Sequence, residues 1–218
     1  MDGDFFHHLN TGRYVLEHKA LPYLDEFTHT ANDKSWVGYA WGAGVIFYVI
    51  YSFFGAFGIN LFISCLAILT LFLIYKTLKN YGISDKTNLI ASSLLAICIS
   101  FRFPARPEAF TYLFVSILLF INSAANMPKL KLLYPLVILF WANTYGAGVL
   151  AGILLLFLFI LTNKEKSPKI FLLTFLSVVL AFLNGYGQKT VFYILLIPKI
   201  SHIQSEWGGF FKNLDAAI

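Results

Sequence analysis

The sequence predicts an all-α integral membrane protein: a polytopic bundle of about six membrane-embedded helices plus one juxtamembrane helix. Of its 218 residues, 58% are hydrophobic and only 12% are charged, whereas a soluble domain carries about 25% charged residues. No alternating barrel pattern is visible, so spans in lipid must be helices that bond their own backbone groups. Charge is absent from four stretches, several of them as long as the roughly 20 apolar residues that a span needs: 35–75, 109–128, 132–163 and 170–188.

The lysines predict the orientation in the membrane. Eight of them lie in three short loops that contain only two acidic residues, Asp85 and Glu165. By the positive-inside rule, these loops are cytoplasmic. Parity then places the other acidic residues and the three arginines outside. These polar side chains would therefore lie together on the outer face of a multi-pass plasma-membrane protein. The loop lysines are Lys76, Lys79, Lys86, Lys129, Lys131, Lys164, Lys166 and Lys169.

The uncharged run 132–163 lies between two lysine loops, so it must cross the membrane twice or not at all. Its length suits two shortened helices, and the turn residues 143–146 divide it in the middle. Such a turn below the membrane surface is tolerated where backbone lines an enclosed or watery cavity. The remaining predicted spans are 57–75, 87–103, 108–124 and 170–186.

Residues 36–54 are predicted to lie on the outer leaflet as a juxtamembrane helix. A full crossing here would reverse every later span, and the stretch is rich in Trp and Tyr, which favour the interface. Gly55 and Gly58 would then turn the chain into the first span; an ordinary transmembrane helix is the alternative. The predicted division is an outer acidic loop and juxtamembrane helix (1–54), a transmembrane domain (55–200) and a truncated outer segment (201–218).

The polar residues of the outer face are the candidate site. Asp2 and Asp4 offer a general base or ligands for a hard divalent cation such as Mg²⁺ or Mn²⁺, and the alternative is a solvated acidic terminus. Arg102 and Arg106, with Glu108 beside them, suit a phosphate or diphosphate, and the alternative is snorkelling to lipid headgroups. The formal charge of +5 is divided among loops, which argues against nucleic-acid binding.

Two further pairs complete the candidate substrate-binding residues. Asn143 and Tyr145 sit in the turn of the shortened helical pair, where they could bind sugar hydroxyls or cap backbone groups, and capping is favoured. Glu206 and Trp207 could bind a metal or stack a sugar, and an interfacial Trp anchor is the alternative.

The serial order of these motifs resembles bacterial and archaeal membrane proteins with the C-type glycosyltransferase (GT-C) fold. Known members of that superfamily, such as the oligosaccharyltransferase catalytic subunit and the protein O-mannosyltransferases, take sugar from a polyprenyl-phosphate carrier. The resemblance covers nearly the whole chain. It rests on residues 2–13 (DGDFFHHLNTGR), 17–22 (EHKALP), 25–28 (DEFT), Trp36, 103–110 (FPARPEAF), 141–143 (WAN), 183–187 (LNGYG) and 206–207 (EW).

The resemblance implies a catalytic or metal-binding role for Asp4, with Asp2 second, and makes Arg102 and Arg106 candidate contacts for the carrier phosphate. Relatives carry a helix before the acidic motif and further spans after position 207, so the chain is expected to be an amino-terminal fragment. The expected function is therefore sugar transfer from a polyprenyl-phosphate donor at the outer face. The rivals are a transporter or flippase, which would place ionisable residues near the bilayer midplane, and a non-catalytic membrane fragment.

Overall fold

The computed structural model describes residues 3–27, 34–100, 105–162 and 167–193, and this part of the chain is all-helical with no named strand. One isolated antiparallel bridge joins Leu24 to Ser35. Short 3₁₀ segments occupy Pro128–Leu133 and Gly146–Gly148. The α-helices are α1 (Gly3–His18), α2 (Trp41–Asn80), α3 (Asp85–Ser100), α4 (Glu108–Ser123), α5 (Tyr134–Thr144), α6 (Val149–Thr162) and α7 (Pro168–Ala181).

Helix α1 corrects the prediction of an acidic loop at the start of the chain. Its apolar side chains Phe5 and Leu9 are buried, while Asp4 in the first turn and His18 in the last suit the helix dipole. Gly12 packs directly on Gly44 of α2: a Cβ on Gly12 would stand 2.1 Å from the Gly44 carbonyl oxygen. Charged residues alone suggested a loop, but a buried apolar face makes the segment a helix.

Helix α2 folds back on itself at Gly55, where the predicted break is present. Gly55 has φ 58° and ψ −152°, a conformation that glycine adopts at little cost. The rings of Phe47 and Phe62 are 6.4 Å apart, although 15 residues of straight helix span roughly 22 Å. The first half of α2 therefore lies between α1 and the second half, 56–80. The helix begins at Trp41, whereas the sequence predicted a start at residue 36.

Helices α4 to α7 form the second part of the bundle, and its core surrounds Trp141. Trp141 is fully buried and stacks on Phe114 at 5.5 Å between ring centroids. Gly152 of α6 allows close approach, because a Cβ there would lie 2.5 Å from the Trp141 ring. The predicted pair of shortened helices is confirmed as α5 and α6, which meet at residues 145–148.

Hydrogen bonds define the two ends of the bundle. At one end, Asn80 of α2 donates to Ser123 of α4 at 3.0 Å, and Lys79 pairs with Asp85; we call this the lysine end. At the other end, Tyr145 after α5 donates to Glu108 at the start of α4; we call this the site end. Among the described residues, Asn80, Asp85 and Ser123 thus lie toward the lysine end, and Glu108 and Tyr145 lie together at the site end. The orientation in a membrane stays a prediction.

By length and composition, one helix in the described ranges, α2, could cross a membrane, with a mean hydropathy of 2.5 in its most apolar window. Its second half, 56–80, is roughly 37 Å long at the usual rise, against a hydrocarbon core of about 30 Å. The other apolar helices are 10–17 residues long. The helical class is confirmed, whereas the predicted number of spans stays a prediction.

Candidate functional site

An ion pair at the site end joins the first helix to the start of α4. Arg106 Nη2 lies 3.1 Å from Asp4 Oδ2, with 30% of the Arg106 side chain and 59% of the Asp4 side chain exposed. The pair is held because Phe5, next to Asp4, and Phe110, one turn into α4, both pack on Phe47. Two residues predicted from sequence as base and phosphate ligand are thus in direct contact.

This ion pair contributes little stability by itself. Exposed pairs are worth about 0–1 kcal/mol because water screens the charges and side-chain entropy opposes the fixed geometry. A ligand carrying an anionic group could therefore take over the Arg106 guanidinium at small cost and release the Asp4 carboxylate. Replacing Asp4 by a ligand anion at Arg106 costs less here than it would in a fully buried ion pair.

Glu108, the first residue of α4 and two residues after Arg106, forms a second polar contact. Its Oε1 accepts a long hydrogen bond, 3.4 Å, from the Tyr145 hydroxyl, and its Oε2 is buried with no hydrogen-bond partner in the described part of the chain. A buried carboxylate oxygen without a donor is costly. Glu108 can therefore accept a hydrogen bond from a ligand hydroxyl or a water molecule.

Tyr39 packs beside Tyr145, the hydrogen-bond donor to Glu108, and sequence analysis did not single it out. Its ring packs edge-on against Tyr145 at 5.9 Å and stacks on Tyr193 at 5.5 Å. Burial raises the pKa of Tyr39 to about 12; nearby Tyr193, Glu108 and Asp4 also raise it, whereas Arg106 lowers it. The hydroxyl therefore stays protonated at neutral pH and can donate. The sequence analysis treated Tyr39 only as one of the Trp and Tyr residues of 36–54 that favour the interface.

Close backbone packing fixes the position of Tyr39. The Gly146 amide donates to the Tyr39 carbonyl at 2.7 Å, and a Cβ on Gly42 would lie 2.4 Å from the Asn143 carbonyl oxygen. The turn between α5 and α6 thus docks directly on the start of α2. Glycine at these positions is required by space, because any side chain would push the two segments apart.

Asn143 has a structural role, the alternative that the sequence favoured. Its amide nitrogen donates to the carbonyls of Leu139 and Leu183, at 2.9 and 3.2 Å. These bonds tie the end of α5 to the end of α7. Asn143 therefore supports the turn that carries Tyr145 and does not face a ligand through that amide nitrogen.

The remaining predicted site residues, Asp2, Arg102, Glu206 and Trp207, lie outside the described residues. Of the three predicted metal ligands only Asp4 is described. Within 3–27, 34–100, 105–162 and 167–193, no three His, Cys, Asp or Glu side chains come together as a ligand set. The candidate site therefore consists of five described residues: Asp4, Tyr39, Arg106, Glu108 and Tyr145.

A small pocket opens beside Tyr39. It has a volume of about 100 Å³ and is lined by residues of α1, by the segment 36–41 and by Tyr193. His7 in its wall contacts Trp36 at 5.1 Å and Phe27 at 5.7 Å between ring centroids. Burial lowers the pKa of His7, although Asp25 and Asp4 act in the opposite direction.

Comparison with known proteins gives no assignment: no family model, curated protein or solved structure matches this chain.

Proposed function

We propose that the protein is a multi-pass membrane glycosyltransferase of the GT-C type, which transfers a sugar from a polyprenyl-phosphate donor at the outer membrane face. The observation that carries the proposal is the Asp4–Arg106 contact of 3.1 Å. It puts a proton acceptor and a phosphate-binding cation side by side at one end of a helical bundle. An inverting displacement needs both groups at one site but on opposite sides of the anomeric carbon, so the ion pair must separate when the donor binds.

The reaction would be a direct displacement at the anomeric carbon. The acceptor oxygen forms a bond to that carbon as the bond from carbon to phosphate oxygen breaks, and the electron pair leaves with the polyprenyl phosphate. The acceptor proton passes to the Asp4 carboxylate, and Arg106 stabilises the charge on the departing phosphate. Configuration at the anomeric carbon would be inverted.

The ion pair supports an order of events. A donor phosphate replaces Asp4 as the partner of Arg106, because bidentate guanidinium–phosphate contacts are strong and the half-exposed pair is weak. Asp4 is then free to accept a proton. A divalent ion such as Mg²⁺ or Mn²⁺, the other use predicted for Asp4, Asp2 and Glu206, would have to compete with Arg106 for the Asp4 carboxylate.

Several features support the membrane part of the proposal. Large apolar side chains project outward along the helices: Phe53, Phe57 and Leu161 are 76%, 75% and 79% exposed. Exposed apolar surface on this scale is typical of contact with lipid. Buried hydroxyls such as those of Thr70 and Ser177 bond to carbonyls of their own helix, which satisfies them without water.

The test follows release of polyprenyl phosphate from a panel of radiolabelled lipid-linked sugars by the protein in proteoliposomes. Asp4→Asn should lower turnover by about 10²- to 10⁴-fold, the usual effect of losing a general base. Arg106→Gln should also lower it, mainly through weaker donor binding. Adding and chelating Mg²⁺ and Mn²⁺ in parallel reactions tests the metal alternative.

Matched variants separate catalysis from stability. Asp85→Asn removes the exposed Lys79–Asp85 pair at the lysine end, and Arg13→Gln removes the exposed Arg13–Glu17 pair; both should keep full turnover. The proposal is wrong if the wild-type protein releases no polyprenyl phosphate from any donor, or if Asp4→Asn keeps more than about half of wild-type turnover, far above any general-base loss.

A further inference from the structure

The pocket beside Tyr39 has walls of flat aromatic rings. Four of its lining residues are aromatic: Trp36, Tyr39, Trp41 and Tyr193. The rings of Tyr39 and Tyr193 lie 5.5 Å apart and nearly parallel, at 23°, and Trp36 packs against the edge of His7. These mutual contacts hold the rings in place, so they offer rigid apolar surface to a ligand.

The polar atoms of the pocket are suited to a neutral ligand. The lining residues include no Asp, Glu, Lys or Arg, and burial lowers the pKa of His7, which favours its uncharged form at neutral pH. The Trp36 indole nitrogen is buried and has no hydrogen-bond partner among the described residues. The Trp36 indole nitrogen lies beside Gly38, another lining residue: a Cβ added to Gly38 would stand 3.5 Å from it. An indole N–H in this position can donate to a ligand oxygen.

We infer that this pocket is the subsite for the sugar ring of the lipid-linked donor, a refinement that rests on the proposed transferase function. A sugar ring has an apolar C–H face that stacks on aromatic rings, and hydroxyl oxygens that accept from an indole N–H. The volume of about 100 Å³ is well above the roughly 10–15 Å³ that one water molecule needs by the same measure, so the pocket has room for the hydroxyl-bearing edge of one ring.

Tyr39 sets the position of this subsite relative to the reacting groups. It lines the pocket and packs edge-on against Tyr145, the hydrogen-bond donor to Glu108. His7 and His8 also line the pocket, one turn after Asp4 in α1. A sugar edge held in the pocket would therefore lie near Asp4, and Arg106, the ion-pair partner of Asp4, would meet the phosphate. In this arrangement the uncharged pocket binds the sugar and the charged groups contact the phosphate.

The experiment compares binding of two radiolabelled short-chain lipids to the full chain in nanodiscs by scintillation proximity. One is a prenyl phosphate carrying a sugar, and the other is the same prenyl phosphate without it. Trp36→Leu should weaken binding of the sugar-bearing lipid about tenfold, a loss comparable to one aromatic contact, and leave the bare lipid unchanged. Trp36→Phe keeps a ring but loses the N–H and should show a smaller loss of the same kind.

Control variants separate binding from folding. Phe53→Leu removes an exposed aromatic ring far from the pocket and should bind both lipids as the wild type does. Arg106→Gln should weaken both lipids. The inference is overturned if the wild type binds the two lipids equally, if Trp36→Leu keeps the sugar preference, or if both lipids weaken equally in Trp36→Phe.

The outcomes also distinguish this inference from the proposed function. If the sugar preference depends on Trp36 but no donor is turned over, the pocket stands and the transferase proposal fails. If turnover depends on Asp4 while Trp36→Leu and Trp36→Phe keep the sugar preference, the transferase proposal stands and the pocket assignment fails.

Discussion

Gly12→Ala should destabilise the protein, although alanine is the better helix former. The added Cβ would stand 2.1 Å from the Gly44 carbonyl oxygen, 2.3 Å from its carbon and 2.7 Å from the Val45 nitrogen, whereas ordinary contacts begin at 3.4 Å. All three atoms are backbone, so no side chain can rotate away. Helix α1 must instead move from α2 by roughly 1 Å, the shortfall in an ordinary carbon contact.

The magnitude follows from two opposing effects. Overpacking of this kind costs about 3 kcal/mol at the upper end of its usual range, because backbone must shift and Phe5 and Leu9 lose contact with α2. Replacing glycine by alanine within a helix returns about 1 kcal/mol. The net loss is about 2 kcal/mol, which lowers Tm by roughly 4–8 °C for a chain of this length.

The measurement is thermal unfolding in detergent micelles, followed by tryptophan fluorescence. Asn10→Ala is the matched control, since Asn10 is an exposed residue of the same helix, and its Tm should stay near that of the wild type. Gly44→Ala should behave like Gly12→Ala, because its Cβ would meet the His8 carbonyl oxygen at 2.5 Å. If the Tm of Gly12→Ala equals or exceeds that of Asn10→Ala, the close crossing of α1 and α2 is wrong.

Three further predictions concern other parts of the chain. Burial lowers the pKa of His7 below its ordinary 6.5. The stabilising contribution of its buried neutral ring is therefore complete above pH 6.5 and is lost as pH falls toward the folded-state pKa, so His7→Gln should flatten the acid side of a Tm-against-pH curve. Tyr186→Phe removes a buried 2.7 Å hydrogen bond to the Pro22 carbonyl and should cost about 1–3 kcal/mol in chemical denaturation, more than Tyr14→Phe, whose bond is exposed. A single cysteine placed at Lys79 should resist an impermeant reagent added outside intact cells, and its labelling would contradict the proposed topology.

Much of the helical framework could be predicted from hydrophobic runs and their interruptions. The break at Gly55 and the division of 132–163 into two short helices follow from turn residues within apolar stretches, and both are present. Residues 3–18 could not be assigned as a helix from sequence, because their charge content suggested a loop. Their helix depends on burial of Phe5 and Leu9 against α2, a contact made with residues more than 30 positions away in sequence.

Some residues of the candidate site could likewise be identified from sequence, and one could be identified only from the structure. Charge pattern and motif order made Asp4, Arg106 and Glu108 candidates, and Tyr145 was a candidate because it lies in the turn of the shortened helical pair. Tyr39 was not distinguishable, because several aromatic residues in its stretch suit an interface equally well. Only the docking of the α5–α6 turn on the Tyr39 carbonyl selects it.

By itself, the sequence determined the helical class and the positions of two breaks in its apolar runs, at Gly55 and at 143–146. These properties depend on local composition and period, which can be read from neighbouring residues. The tertiary structure decided which side chains touch: Asp4 with Arg106, Glu108 with Tyr145, and Tyr39 with Tyr145. Those contacts join segments about 40 to 100 residues apart, and they depend on how closely glycines such as Gly12, Gly42 and Gly44 let the backbones approach. Distances of that kind are set by packing in three dimensions, which no local pattern specifies.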